Sequence, residues 1–201
     1  PVHRLIGSRT KGPVTAYATS DDIELASRYG YSAMKLSHRW QTEVDFEVAV
    51  SRMEAARSSL GPTARLMMDC YMSWPVHVAA RMAELLAPQE PYWFEDVATP
   101  DQMVELSVLR PHIKPVLLAG GEHDYTPADF VEIGRLRALD LWQPDVTWAG
   151  GVTGTLRILE LARKNNVPVV LQRGGEPWGL HVIVATACLD FAATKQHRWQ
   201  E

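Results

Sequence analysis

The chain predicts an α/β fold of repeated strand–helix units whose strands run parallel in one sheet or barrel. Two observations carry this. Short apolar runs alternate with longer segments that open on Ser, Thr, Asp or Pro and close on Gly or Pro, which is how helices following strands are punctuated. An acid also stands at the end of four of those runs: Asp69 in LMMDC, Glu95 in YWFED, Glu122 in LLAGGEH and Asp145 in LWQPD, at intervals of 26, 27 and 23 residues. A strand of about 5 residues, a helix of about 10–15 and two loops consume about that much chain. Acids recurring once per unit at strand C-termini converge on one mouth of a parallel barrel.

Each unit reads in the same way. VTAYA (14–18) is a strand, and SDDIELASRYG a helix with a Ser/Asp cap signal that closes on Gly30. YSAMKLS (31–37) is the second strand, followed by a helix capped by Thr42 and ended by Gly61. RLMMD (65–69) is the third, and its helix begins at Pro75 and stops at Pro88. YWFED (92–96) and KPVLLAG (114–120) are the fourth and fifth, each followed by a Thr-Pro helix start, at Thr99 and Thr126. LDLWQP (139–144) is the sixth, with TGTLRILELARKN as its helix, and VPVVLQ (167–172) is the seventh. WGLHVIVATACLDFAA reads as a last helix. The strands are continuous apolar runs, as in a parallel sheet covered on both faces. Seven units are expected and no eighth strand. The first strand, VTAYA, and the seventh, VPVVLQ, are then unpaired edges that invite association with another chain or another copy.

Composition sets bounds. The 201 residues suit one large domain, and 46% hydrophobic with 22% charged residues is ordinary globular composition. A formal charge of −4 excludes a nucleic-acid or anionic-membrane partner. No apolar stretch reaches membrane-spanning length, and PVHRLIGSRTKGP has no signal-peptide core. The two cysteines, Cys70 and Cys188, make no disulfide framework, so a reducing, cytoplasmic location is expected. Cys70, beside Asp69, reads as a buried thiol, because a site of hard oxygens does not favour sulfur.

Three carboxylates brought to one mouth repel one another unless a hard cation sits between them. Asp69, Glu95 and Glu122 are therefore the expected ligands of a Mg²⁺ ion; the alternative is that each caps the helix that follows. Asp145 is either part of the same site or the cap of the helix beginning near Gly151. Lys35 is placed to pair with Asp69 inside the barrel. His123 is a substrate contact or a solvated loop residue. Arg173, with Gly174 and Gly175, is an anion contact or part of a tight turn. His38 and His181 read as structural, and Trp93, Trp148 and Trp178 as core or rim.

The segments PVHRLIG, AMKLSH, LMMDCYMSW, YWFEDV, GGEHDYT, QPDVTWAGG and HVIVAT resemble the enolase superfamily in its mandelate racemase-like branch, most closely the acid-sugar dehydratases of L-rhamnonate dehydratase type. The resemblance implies a TIM-like (β/α)₇β barrel preceded by an α+β capping domain. Residues 1–13 would be the tail of that capping domain and 14–201 the barrel, lacking its last strand. It implies Mg²⁺ on Asp69, Glu95 and Glu122, binding the carboxylate of a small sugar acid and stabilising the enediolate formed when the α-proton leaves. Loss of the β-hydroxyl as water then gives a 2-keto-3-deoxy acid. Lys35, His123 and Arg173 would contact substrate. The base would be a His at the end of the seventh strand, oriented by a sixth-strand Asp, the position of Asp145.

Here the sequence departs from the family. Gln172 stands at the base position, and an amide cannot take a proton at useful pH. Lys35 is followed by Leu36 and Ser37, so the second lysine of the family's Lys-x-Lys is absent, as it is in rhamnonate-type proteins. The expected function is a Mg²⁺-dependent aldonate dehydratase-like barrel with impaired proton abstraction, inactive as this chain alone. The alternatives are a non-catalytic metal-binding homologue, a barrel fragment completed by another chain, and a racemase or epimerase.

Overall fold

Parallel strands and their covering helices alternate along the chain in the structure, a computed structural model that describes residues 1–7, 13–186 and the backbone of 191–195. The strands are β1 Thr15–Thr19, β2 Ala33–Ser37, β3 Arg65–Asp69, β4 Trp93–Glu95, β5 Leu117–Gly120, β6 Leu141–Trp142 and β7 Phe191–Lys195. The helices are α1 His3–Ile6, α2 Ile23–Arg28, α3 Val44–Leu60, α4 Val76–Leu86, α5 Met103–Leu109, α6 Pro127–Leu136, α7 Gly151–Asn165 and α8 Pro177–Ala185. All six strand pairings are parallel, in the order β6-β5-β4-β3-β2-β1-β7. Beyond β6, residues 167–172 join through two parallel bridges, Trp142↔Val169 and Asp145↔Gln172. The expected seventh strand is present there as isolated bridges.

Two apolar layers follow from the period-2 alternation of strands. Tyr17, Ala33, Met67, Trp93, Ala119, Leu141 and Val170, one from each neighbouring strand, form a small buried cluster on the inner face. This is the filled interior of a β/α barrel. The other faces of the strands, with Met34, Leu66, Met68, Phe94 and Leu118, pack against the helices in the larger cluster. Helix ends match the sequence signals in part. Asp22 accepts from Leu25 N at 2.9 Å, and Thr126 makes a reciprocal capping box with Asp129. The residue preceding α3 is Glu43 and not Thr42, and its side chain makes no capping bond; Asp45 Oδ2 accepts from the N–H groups of Gln41 and Thr42 at 2.6 and 2.8 Å. Thr99 makes no capping bond to backbone, and a 3₁₀ turn, Pro100–Gln102, precedes α5.

One expectation is overturned. Residues 191–193, read as the end of a last helix, form with 194 and 195 a strand that pairs with β1 along its whole length, Thr15↔Phe191 through Thr19↔Lys195. The last strand is therefore present, and β1 is not an open edge. The apolar run stops being helical at Ala185, where Thr186 is extended (φ −128°). Beyond it, the free hydrogen-bonding edge of β1 decides between helix and strand, because tertiary pairing outweighs the weak local preference of a short apolar segment. Cys188 and the terminal QHRWQE lie outside the described residues. Among the described residues no helix is long and apolar enough to cross a membrane.

Candidate metal centre

The same alternation that buries the inner layer puts a polar layer directly above it. Two residues beyond Ala33, Met67, Trp93, Leu141 and Val170 come Lys35, Asp69, Glu95, Gln143 and Gln172. The register aligns Ser37 with Asp69 and Asp69 with Glu95, so two of the expected ligands are direct neighbours at adjacent strand ends. Lys35 reaches them from β2. Its ammonium is hydrogen-bonded to Glu95 Oε1 and lies 3.6 Å from Asp69 Oδ2. Glu95 Oε2 accepts from Trp93 Nε1 at 3.0 Å and from Gln143 Nε2 at 2.7 Å.

Glu122 follows β5 after a turn in which Gly121 takes φ +112°. Asp96, just past β4 at φ +47°, turns its carboxylate towards Glu122, and His123 lies between them. His123 Nε2 is 3.4 Å from Asp96 Oδ2 and 3.3 Å from Glu122 Oε1, and ligating atoms of the three lie within 4.8 Å of one another.

The electrostatics show how crowded these acids are. Burial first, then repulsion from Glu95, pushes Glu122 up to about 7 although Lys35 works the other way. Burial, then Glu122, Glu95 and Asp69, holds Asp96 well above the usual carboxylate range. Burial raises Asp69 too, against the pull of Lys35. For Lys35, burial would favour the neutral amine, but Glu95, Tyr17 and Asp69 outweigh it and keep the ammonium well above the ordinary lysine range. The group within 4.8 Å, two carboxylates and the His123 imidazole, contains Glu122 of the three expected ligands but neither Asp69 nor Glu95; carboxylates this short of positive charge suit a hard divalent cation.

The remaining candidates separate into those inside this layer and those outside it. Asp145 is buried and bridges in register to Gln172. Its Oδ1 accepts from Thr147 N at 2.7 Å and Thr147 Oγ1 at 2.6 Å, an Asx turn, while the cap of α7 is Gly150. Arg173 turns away to Glu176, at 3.9 Å, and to the ring of Trp178; the structure does not bring it to the acids. His38 ties the ends of β2 and β3 together: its N–H donates to Asp69 O at 2.8 Å and its carbonyl accepts from Trp74 Nε1 at 3.0 Å. His181 stacks on His3. Cys70 is a buried thiol. Asp96, Trp93 and Gln143 belong to the site without having been expected there. Glu-Asp at a strand end and Gln two residues before Asp145 were the available signals. A cavity of about 760 Å³ is lined by Arg65, Tyr92 and Leu117 at the opposite, N-terminal ends of β3–β5 and contains none of these acids.

Comparison with known proteins agrees with this architecture. The profile of the family described as enolase C-terminal domain-like matches residues 19–201. The L-rhamnonate dehydratase of Saccharopolyspora erythraea is 29% identical over 188 residues, 92% of this chain and 48% of that protein. The crystal structure of rhamnonate dehydratase from Gibberella zeae complexed with Mg superposes with a TM-score of 0.89 at 28% identity, covering 97% of this chain and 48% of that one. A racemase from Streptomyces coelicolor A3(2) with bound magnesium gives 0.83 at 28% identity, over 98% and 60%. The chain spans about half the length of the curated relatives it matches. With the barrel layers, the strand-end acids and a profile match over most of its length, the chain belongs to the enolase C-terminal domain-like family.

Proposed function

We propose that this chain forms the barrel of a Mg²⁺-dependent acid-sugar dehydratase-like enzyme in which proton abstraction is impaired. The observation that carries the reading is the placement of Asp69 and Glu95 in register on neighbouring strands, with Glu122 one strand further on and Lys35 between the first two. Asp69, Glu95 and Glu122 would hold the ion, which when bound supplies Lewis-acid polarisation of a substrate carboxylate. The relatives named as rhamnonate dehydratases support a sugar acid as the substrate class. Lys35 faces the substrate carboxylate from β2. His123, at the mouth beside Trp148, contacts substrate hydroxyls, and Arg173 belongs to the rim. Asp145 stands beside Gln172, whose amide can orient a substrate oxygen but cannot remove an α-proton. A general base contributes about 10²–10⁴-fold, and the chain lacks that factor. Residues 1–13 are assigned to the tail of a capping domain on the family resemblance of PVHRLIG; α1 within them packs on α8, with His3 against His181.

The test is an assay of the chain and of Gln172→His on five- and six-carbon sugar acids with Mg²⁺, scoring 2-keto-3-deoxy product. The expected result is slow or absent turnover by the parent and a gain of about 10²-fold or more in the variant. Fast turnover by the parent with no gain from Gln172→His would sink the impaired-base reading. Exchange of the α-proton without loss of water would favour the racemase reading.

A further inference from the structure

Glu95 is gripped more tightly than a metal ligand needs to be for its charge alone. Both donors to Oε2, the indole of Trp93 and the amide of Gln143, are buried, as are Glu95 and Lys35. Trp93 and Glu95 are two residues apart on β4 and share its inner face. Gln143 comes from two strands away, just past β6. The indole cannot swing aside: it is wedged edge-on against Tyr17, at 5.8 Å between ring centres, and tilted against Tyr92. The amide is also fixed in sense, since only its NH₂ end can donate to a carboxylate. Its Oε1 is left buried without a hydrogen-bond partner, so the bond to Glu95 is made at the cost of the other end of the amide.

We infer that Gln143 and Trp93 are positioning residues that lock the Glu95 carboxylate with Oε1 turned towards the cation position, the side that Lys35 contacts. This rests on the reading of Glu95 as a Mg²⁺ ligand. Mg²⁺ demands near-octahedral geometry at about 2.0–2.1 Å, so a carboxylate free to rotate binds it less well than one held in place. Loss of such an outer partner typically costs about 10–100-fold in metal affinity.

The experiment is calorimetric titration of the full chain with MgCl₂, well below its unfolding temperature. Parent, Glu95→Gln, Gln143→Met, Trp93→Phe, the Gln143→Met/Trp93→Phe pair, and Val170→Ala from the same inner layer are compared. Gln143→Met is expected to bind Mg²⁺ about 10–100-fold more weakly. The pair should lose less than the product of the single losses, because both donors serve one oxygen. Val170→Ala should unfold at a lower temperature yet bind Mg²⁺ as the parent does. Should Gln143→Met not fold, Trp93→Phe alone is expected to weaken binding. Parent-like affinity in folded Gln143→Met overturns the inference, as does an equal loss in Val170→Ala, which would mark a general loosening of the core. A parent that binds no Mg²⁺, or a Glu95→Gln variant that binds it undiminished, overturns instead the reading of Glu95 as a ligand, and the inference with it.

Discussion

Glu122 shows how much one residue's surroundings can decide. Its carboxyl is carried up from 4.5 to about 7, by burial and then by Glu95. Between those values the folded, metal-free chain keeps a proton that the unfolded chain releases. By linkage, the contribution of Glu122 to the stability of the metal-free protein is therefore expected to fall as pH rises from about 4.5 to about 7, then to level off. Mg²⁺ must displace the same proton, so its affinity is expected to rise across the same window. Unfolding temperatures measured with chelator and with Mg²⁺, for the parent and Glu122→Gln, check both points. If the parent and Glu122→Gln show the same pH dependence, Glu122 is not its source. The sequence revealed this acid through its place after an apolar run. It gave no sign of the raised affinity for protons, which comes first from burial and then from carboxylates distant in the chain, Glu95 and Asp69. The partner of Asp145 was legible only as a position: Gln172 was identified in sequence, and the bridge between the two required the fold.

At the scale of elements, the turn after β5 carries the most constraint. Gly121 at φ +112° lies in a region that favours glycine, and a Cβ there would stand 3.0 Å from the ring of Phe130. Gly121→Ala is expected to cost about 1–3 kcal/mol, and the unfolding midpoint should drop about 2–4 °C for each kcal/mol in a chain of this size. Mg²⁺ affinity should fall as well, since the same turn aims Glu122. Thermal unfolding and metal titration of the variant test this, and an unchanged midpoint would show that the turn relaxes freely. Helix caps illustrate what local sequence does and does not specify. Thr126 and Asp129 form the capping box that a Thr-x-x-acid spacing predicts. At α3 no side chain caps the helix from the preceding residue, Glu43; instead Asp45, inside the first turn, reaches back to the N–H groups of Gln41 and Thr42.

For the whole molecule, the decisive pairing is between β1 and residues 191–195. It joins residues more than 170 positions apart, Thr15 to Phe191 among them, and it covers the edge that would otherwise invite association. Backbone amides of β1 are therefore expected to exchange slowly with deuterium. Ala193→Pro places a residue without an N–H in the middle of the strand that pairs with β1, which is expected to weaken that pairing. Faster exchange along 15–19 and more light scattering are the expected consequences, read by hydrogen exchange with mass detection. Unchanged protection in that variant would show that β1 does not depend on this partner.

Local patterns along the chain were enough for the fold class, the family, the elements up to α8 and the positions of the three strand-end acids. These patterns are apolar runs of strand length, helix punctuation, and acids in phase with the strands. That the last apolar stretch divides into α8 and a strand emerged with the fold, because the choice turns on an edge supplied by β1. The tertiary structure also decided that Lys35 lies against Glu95 as well as Asp69, that Arg173 leaves the site, and that Asp96, Trp93 and Gln143 enter it. These depend on side-chain direction and on register between distant strands. Neither is a property of the residues taken in order along the chain, and both appear only when seven βα crossovers bring the strand ends to a common mouth.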